Sequence, residues 1–170
     1  MHSCVYQMQE KGLIRYALVE EGDIVSYHEK RLADFGLNTV ANRIEFFQAD
    51  ATNLKPQFTH YDLILAANLI DRLYDPKKFL SNIHERLNVG GVLVIASPYT
   101  WLKEFTKHEN WVGGIRKDGE PYTTLEGISD LLKEHFRRID EPRDIEFVIR
   151  ETGRKFQHIR SQLSAWERTR

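Results

Sequence analysis

YDLILAAN, residues 61–68, is a short continuous apolar run closed by a polar residue, Asn68, and Asp75-Pro76 soon afterwards opens a helical pattern. A run of this length and character reads as a strand covered on both faces. Proline suits the first helical turn, and Phe79, Leu80, Ile83 and Leu87 then recur at helical spacing. Working outward, the same design occurs twice more: Ile44–Gln48 precedes Asp50, and Val92–Ala96 precedes Ser97. In an open, mostly parallel α/β sheet the ligand lies outside the carboxyl ends of the strands. Three such ends are expected to aim Asp50, Asn68 and Ser97 at one place, as in a ligand-handling α/β protein. Nothing ahead of the first of these strands reads as a glycine-rich phosphate or nucleotide loop.

The 170 residues fit one domain with a real core. With 24 basic residues against 25 acidic ones, no global field recruits nucleic acid or an anionic membrane. The Arg- and Lys-rich segment after Pro142 reads first as a solvated strand face and second as an anion or carboxylate site. A single cysteine, Cys4, excludes an internal disulfide and a cysteine metal cluster and suits a reducing compartment. No apolar run approaches the roughly 20 residues of a membrane span, and no signal-peptide pattern opens the chain, so a cytoplasmic location is expected.

Residues 1–40 read as a helix ended by Gly12, a hairpin from Ile14–Val19 and Ile24–Tyr27, and a helix over His28–Phe35 closed by Gly36. Residues 41–170 read as the C-terminal part of a sheet: a strand at Arg43–Gln48, the strand and helix described above, and a strand at Gly91–Ser97. A helix capped by Thr123 or Thr124 and running to about His135 follows, and then two extended runs, Ile145–Glu151 and Phe156–Trp166. This order is that of the second half of a Rossmann-like sheet ending in an antiparallel β-hairpin.

The blocks FFQADATNLKP (46–56), YDLILAANLIDRLYDPKKFL (61–80), IHERLNVGGVLVIASPYTW (83–101) and FVIRETGRKFQH (147–158) go further. They resemble the C-terminal methyltransferase domain of the bifunctional ovothiol-biosynthesis enzymes (5-histidylcysteine sulfoxide synthase and mercaptohistidine N-methyltransferase) from about Gln9 to Trp166. The resemblance implies a class I fold and transfer of a methyl group from S-adenosylmethionine to an imidazole nitrogen of 5-mercaptohistidine. Family members open with a strand, a G-x-G-x-G loop, a helix and a second strand ending in an acid that holds the ribose. The ten glycines here contain no G-x-G-x-G. The chain is therefore expected to begin inside the helix after the second strand and to lack a first βαβ unit of about 30 residues or more. The family's order puts its first two strands between the third and fourth, so the strand at Leu63–Ala67 is expected to offer an unpaired edge. A preceding region or another chain would complete the sheet.

The resemblance implies that Asp50 accepts from the adenine amine while the Ala51 amide donates to a ring nitrogen; an Asx turn is the plainer reading. It places Asn68 beside the methyl donor, contacting the cofactor and orienting the nitrogen nucleophile, where a turn residue is the alternative. Arg72 would grip the substrate carboxylate bidentately, or pair locally with Asp71 at the surface. Tyr99 and Trp101 offer aromatic faces to a sulfonium or imidazole, or cover the sheet edge. Trp111, Gly113 and Gly114 read as a mobile loop over the pocket. In-line methyl transfer needs alignment more than a strong acid or base, so Asn68 and Tyr99 are the catalytic candidates and no metal is called for. The competing readings are a non-catalytic fragment or interaction module, and a nicotinamide-dependent enzyme, which lacks its glycine fingerprint here.

Overall fold

A computed structural model describes residues 2–170, with side chains from Gln7 onward. Two compact units divide the chain: Met1–Gln48 with Val148–His158, and Ala49–Phe147 with Ile159–Arg170.

In the first unit, helix α1 (His2–Lys11) stops at Gly12, whose φ of 67° is the left-handed conformation that glycine adopts cheaply. Strands β1 (Leu13–Glu21) and β2 (Ile24–Arg31) form the expected antiparallel hairpin, with Leu13 opposite Arg31. The pairing continues further than the sequence suggests. Strand β2 takes His28–Arg31 out of the expected helix and leaves only a 3₁₀ turn, Leu32–Phe35, closed by Gly36. Hairpin register has overridden a weak helical pattern. Arg43–Gln48 forms no strand: a 3₁₀ turn, Ala41–Arg43, leads into irregular chain. The backbone at Ile44 is extended (φ −111°, ψ 132°), but the Ile44 carbonyl accepts from Gln9 Nε2 at 2.6 Å rather than joining a ladder. A β-forming segment that joins no ladder remains an extended loop.

The second unit carries the sheet. Strand β3 (Tyr61–Ala67) leads through a 3₁₀ turn, Ile70–Arg72, to α2 (Pro76–Asn82). Asp75 caps α2 by accepting from the Lys78 amide at 3.0 Å. Strand β4 (Leu87–Ser97) begins four residues before the Gly91 start expected of it. The short pair β5 (Ile115–Lys117) and β6 (Glu120–Tyr122) precedes α3 (Thr124–Leu132), which is shorter than expected and starts with a Thr123–Glu126 capping box. Strands β7 (Phe136–Arg138), β8 (Arg143–Arg150) and β9 (Phe156–Arg168) follow. The order is β3-β4-β9-β7, with β8 also on β9; β3–β4 is parallel, while β9 runs antiparallel to β4 and β7. Together β8 and β9 are the closing hairpin of this α/β fold.

One side of the sheet is finished. Ala66, Leu93, Ile95 and Trp166 are at most 3% exposed and join Phe79 and Leu80 of α2 and Ile128 and Leu132 of α3 in one cluster. The other side is not. Leu63 and Leu65 stand 60% and 62% exposed, so the expectation that β3 is covered on both faces fails. No described strand pairs the outer edge of β3. Among the described residues, no helix is long and apolar enough to cross a membrane.

Candidate functional site

The site is built at the carboxyl ends of β3 and β4. These two strands are parallel neighbours, and the Asn68 amide donates to the Ala96 carbonyl at 2.7 Å, so Asn68 and Ser97 leave the sheet side by side. The chain turns sharply at both points. Asn68 has φ 50° and Tyr99 φ 53°, two of the four left-handed residues other than glycine among those described. Asparagine tolerates that region, whereas a bulky aromatic adopts it at a cost of about 1–3 kcal/mol and only where its surroundings enforce it.

The surroundings of Tyr99 do so. Its amide donates to Ser97 Oγ at 3.1 Å, and its phenol donates to Gln162 Oε1 at 3.1 Å. Burial, helped by the Asp144 carboxylate, pushes the phenol up to about 12. Asn68 Oδ1 accepts from the Ser161 hydroxyl at 2.9 Å. Ser161 and Gln162 are neighbours in β9 and project to opposite sides of the sheet. The Asn68 amide and the Tyr99 phenol are therefore anchored on the two sides of one strand end.

Asp50 lies in a turn before this sheet. Its Oδ1 accepts from the Thr52 amide at 2.9 Å and the Thr52 hydroxyl at 2.8 Å, and its Oδ2 accepts from the Tyr74 hydroxyl at 3.1 Å. The Thr52 hydroxyl and amide, and after them Tyr74, hold this exposed carboxyl below its usual range. An Asx turn is thus present at Asp50, closed by the Asn53 amide on the Asp50 carbonyl at 3.0 Å. A carboxylate has about four lone-pair positions, so three donors leave it room for one more. Ala51 packs against the core and, with Thr52, Asn53, Lys78 and Arg86, lines a cleft of about 180 Å³. Pockets for drug-sized ligands run to roughly 300–1,000 Å³, so this cleft is not a complete nucleoside site.

Asp71 differs from the surface ion pair expected of it: it is 1% exposed. Arg72 donates through one nitrogen, Nη1, to Asp71 Oδ2 at 3.1 Å and to the Thr100 carbonyl at 2.9 Å, and its guanidinium lies 5.0 Å from the Phe105 ring. The side chain is 39% exposed. Trp101 donates from Nε1 to Thr124 Oγ1 at 2.9 Å and stacks on Trp111 with centroids 6.1 Å apart, which fixes it against the start of α3. The Trp111–Gly114 segment is packed rather than loose. The Gly114 amide donates to the Tyr122 carbonyl at 2.8 Å, and a Cβ on Gly113 would meet the Thr123 oxygen at 2.3 Å.

Sequence reasoning missed Tyr74, Ser161 and Gln162. A tyrosine after a 3₁₀ turn and two polar residues inside a late strand carry no local signal. Three of the basic residues after Pro142 pair with acids: Arg160 with Asp144 at 2.8 Å, Lys155 with Glu151, and Arg150 with Glu20. That is the behaviour of solvated strand faces.

A family model described as a methyltransferase domain matches residues 22–93, less than half of the chain. No curated protein matches significantly. Among solved structures, the N-methyltransferase NodS from Bradyrhizobium japonicum WM9, in complex with S-adenosyl-L-homocysteine, is 16% identical over 78% of this chain and 59% of its own, with a TM-score of 0.46. A SAM-dependent methyltransferase from Methanosarcina mazei is 16% identical over 71% of this chain and 65% of its own, at 0.44. A structure concerned with conversion of a disulfide bond into a thioacetal group during echinomycin biosynthesis is 15% identical over 71% and 54%, at 0.47. The chain spans between 54% and 65% of the length of these three.

Proposed function

We propose that this chain is an S-adenosylmethionine-dependent methyltransferase domain whose acceptor is an imidazole nitrogen of 5-mercaptohistidine. The methyltransferase-domain match over residues 22–93 supports the reaction class, and the resemblance of the 61–80 and 83–101 blocks supports the acceptor. The observation that carries the reading is the pair of left-handed residues, Asn68 and Tyr99, at the carboxyl ends of adjacent parallel strands. Asn68 would orient the attacking nitrogen through an uncharged amide, which adds no charge beside a sulfonium. Tyr99 would offer its ring to the imidazole, with the phenol kept neutral by burial. Asp50 and the Ala51 amide would read adenine. Arg72 retains exposed guanidinium edge for the substrate carboxylate, and Trp101 walls the site.

The residues present fit a donor only in part. The Asx turn at Asp50 and the strand-end amide of Asn68 are there, but the sequence has no G-x-G-x-G loop for the methionine moiety. The open edge of β3 is where a further strand, from a preceding region or another chain, would bring such a loop. When bound, the cofactor supplies the electrophilic methyl group; the protein aligns the nitrogen with it and excludes water. Mass spectrometry of mercaptohistidine incubated with S-adenosylmethionine and the sheet-completed protein is expected to show one added methyl group. Asn68→Ala should lower kcat. Protein that binds S-adenosylhomocysteine yet leaves mercaptohistidine unmethylated would refute the acceptor assignment.

A further inference from the structure

Two features of the turn after β4 are unexplained by the sheet itself: a tyrosine held in the left-handed region, and a carboxylate buried beside it. Asp71 is 1% exposed and Ser97 is fully buried. Every contact to Asp71 comes from a donor: the Ser97 hydroxyl to Oδ1 at 3.2 Å, and the Thr100 amide and Arg72 Nη1 to Oδ2, each at 3.1 Å. Ser97 passes the link on, since its oxygen also accepts the Tyr99 amide at 3.1 Å. Arg72 closes the circuit on the Thr100 carbonyl at 2.9 Å. A buried charge is tolerable only when fully hydrogen-bonded, and removing one partner leaves the others in the wrong place.

We infer that Asp71 is a positioning residue, the buried carboxylate that fixes the Ser97–Thr100 turn and so presents Tyr99 and Arg72 together. A salt bridge to Arg72 alone would need neither Ser97 nor the Thr100 amide. The circuit uses both, and each lies one residue away from Tyr99 or is hydrogen-bonded to its backbone. The consequence for the substrate rests on the methyltransferase reading, but the geometric claim does not.

The test uses Asp71→Asn and Ser97→Ala, the second removing only the relay and keeping the proposal testable if the first unfolds. Tyrosine ring carbons are followed by NMR against pH, with the Tyr99 signal assigned by Tyr99→Phe. In the native protein Tyr99 is expected to titrate at about 12, against an ordinary value of 10.0. Tyr122, also raised to about 12, by burial and then by its hydrogen bond to Asp130, is the internal control. Both variants should move Tyr99 towards 10.0 and leave Tyr122 in place. A purely structural role would lower the melting temperature and leave the Tyr99 titration unmoved, and that result overturns the proposal. In methyl-transfer assays, the same variants should raise KM for mercaptohistidine about tenfold with a smaller change in kcat. If the native protein transfers no methyl group, the function assigned above fails while the Tyr99 titration still decides the role of Asp71.

Discussion

The two sides of the β3–β4–β9 sheet are made from the same strands and differ almost completely. On one side Ala66 lies beside Ile95 and Leu93 opposite Trp166, all at most 3% exposed beneath α2 and α3. On the other, Leu63 and Leu65 are about as exposed as surface residues, and Val92, Val94, Leu163 and Ala165 are only half-buried. Alternation in β3 runs apolar on both faces, as in a sheet designed to be covered twice. The helix-covered side supplies the core, and the candidate site lies at the strand ends. On the bare side Leu63 and Leu65 stay exposed, and no described strand pairs the outer edge of β3.

The comparison breaks first if the covered side carries little energy. Ile95→Ala should cost about 2–5 kcal/mol by urea unfolding, the range for a fully buried aliphatic truncated to a methyl. Gly127→Ala comes next. A Cβ there would lie 1.8 Å from the Val112 carbonyl oxygen, so α3 would have to back away, costing about 1–3 kcal/mol or more. A smaller loss of stability should appear on acidification. His84 stacks on His135 with centroids 3.8 Å apart, and burial, followed by the charge of His135, lowers its pKa from 6.5. A depressed histidine contributes stability that is full above 6.5 and lost as the pH falls through the folded value, so the melting temperature should drop on that side. His84→Gln should flatten the drop; an unchanged acid limb would remove His84 from the account. The smallest effect is expected on the bare side, where Leu65→Ser should change stability by no more than about 0.5 kcal/mol. A loss comparable to that of Ile95→Ala would mean that this face is covered in solution.

Much of this fold was legible because its signals are local. Asp75-Pro76, the cap at Thr123 and the hairpin around Gly22 each bring their own hydrogen-bond chemistry to the right place. The failures share a cause. Ile44–Gln48 and Leu63–Leu65 have the composition of covered strands, but covering needs partners that local sequence does not supply. The site followed the same rule. Asn68 and Ser97 could be read as strand ends because apolar runs stop there. The burial of Asp71 and the partnerships of Tyr74, Ser161 and Gln162 arise only from long-range packing. The Asx turn at Asp50 was readable from A-D-A-T-N, and the hydroxyl of Tyr74 reaching across to it was not.

The proposal that Asp50–Ala51 and the ends of β3 and β4 together line an S-adenosylmethionine site is open to a direct test. It is tested most directly by following backbone amide shifts as S-adenosylhomocysteine is titrated to millimolar concentration. Weak, fast-exchange binding that moves the Ala51, Asn68 and Tyr99 amides together is expected. Unmoved amides at those three positions, or tight binding centred elsewhere on the protein, would contradict it.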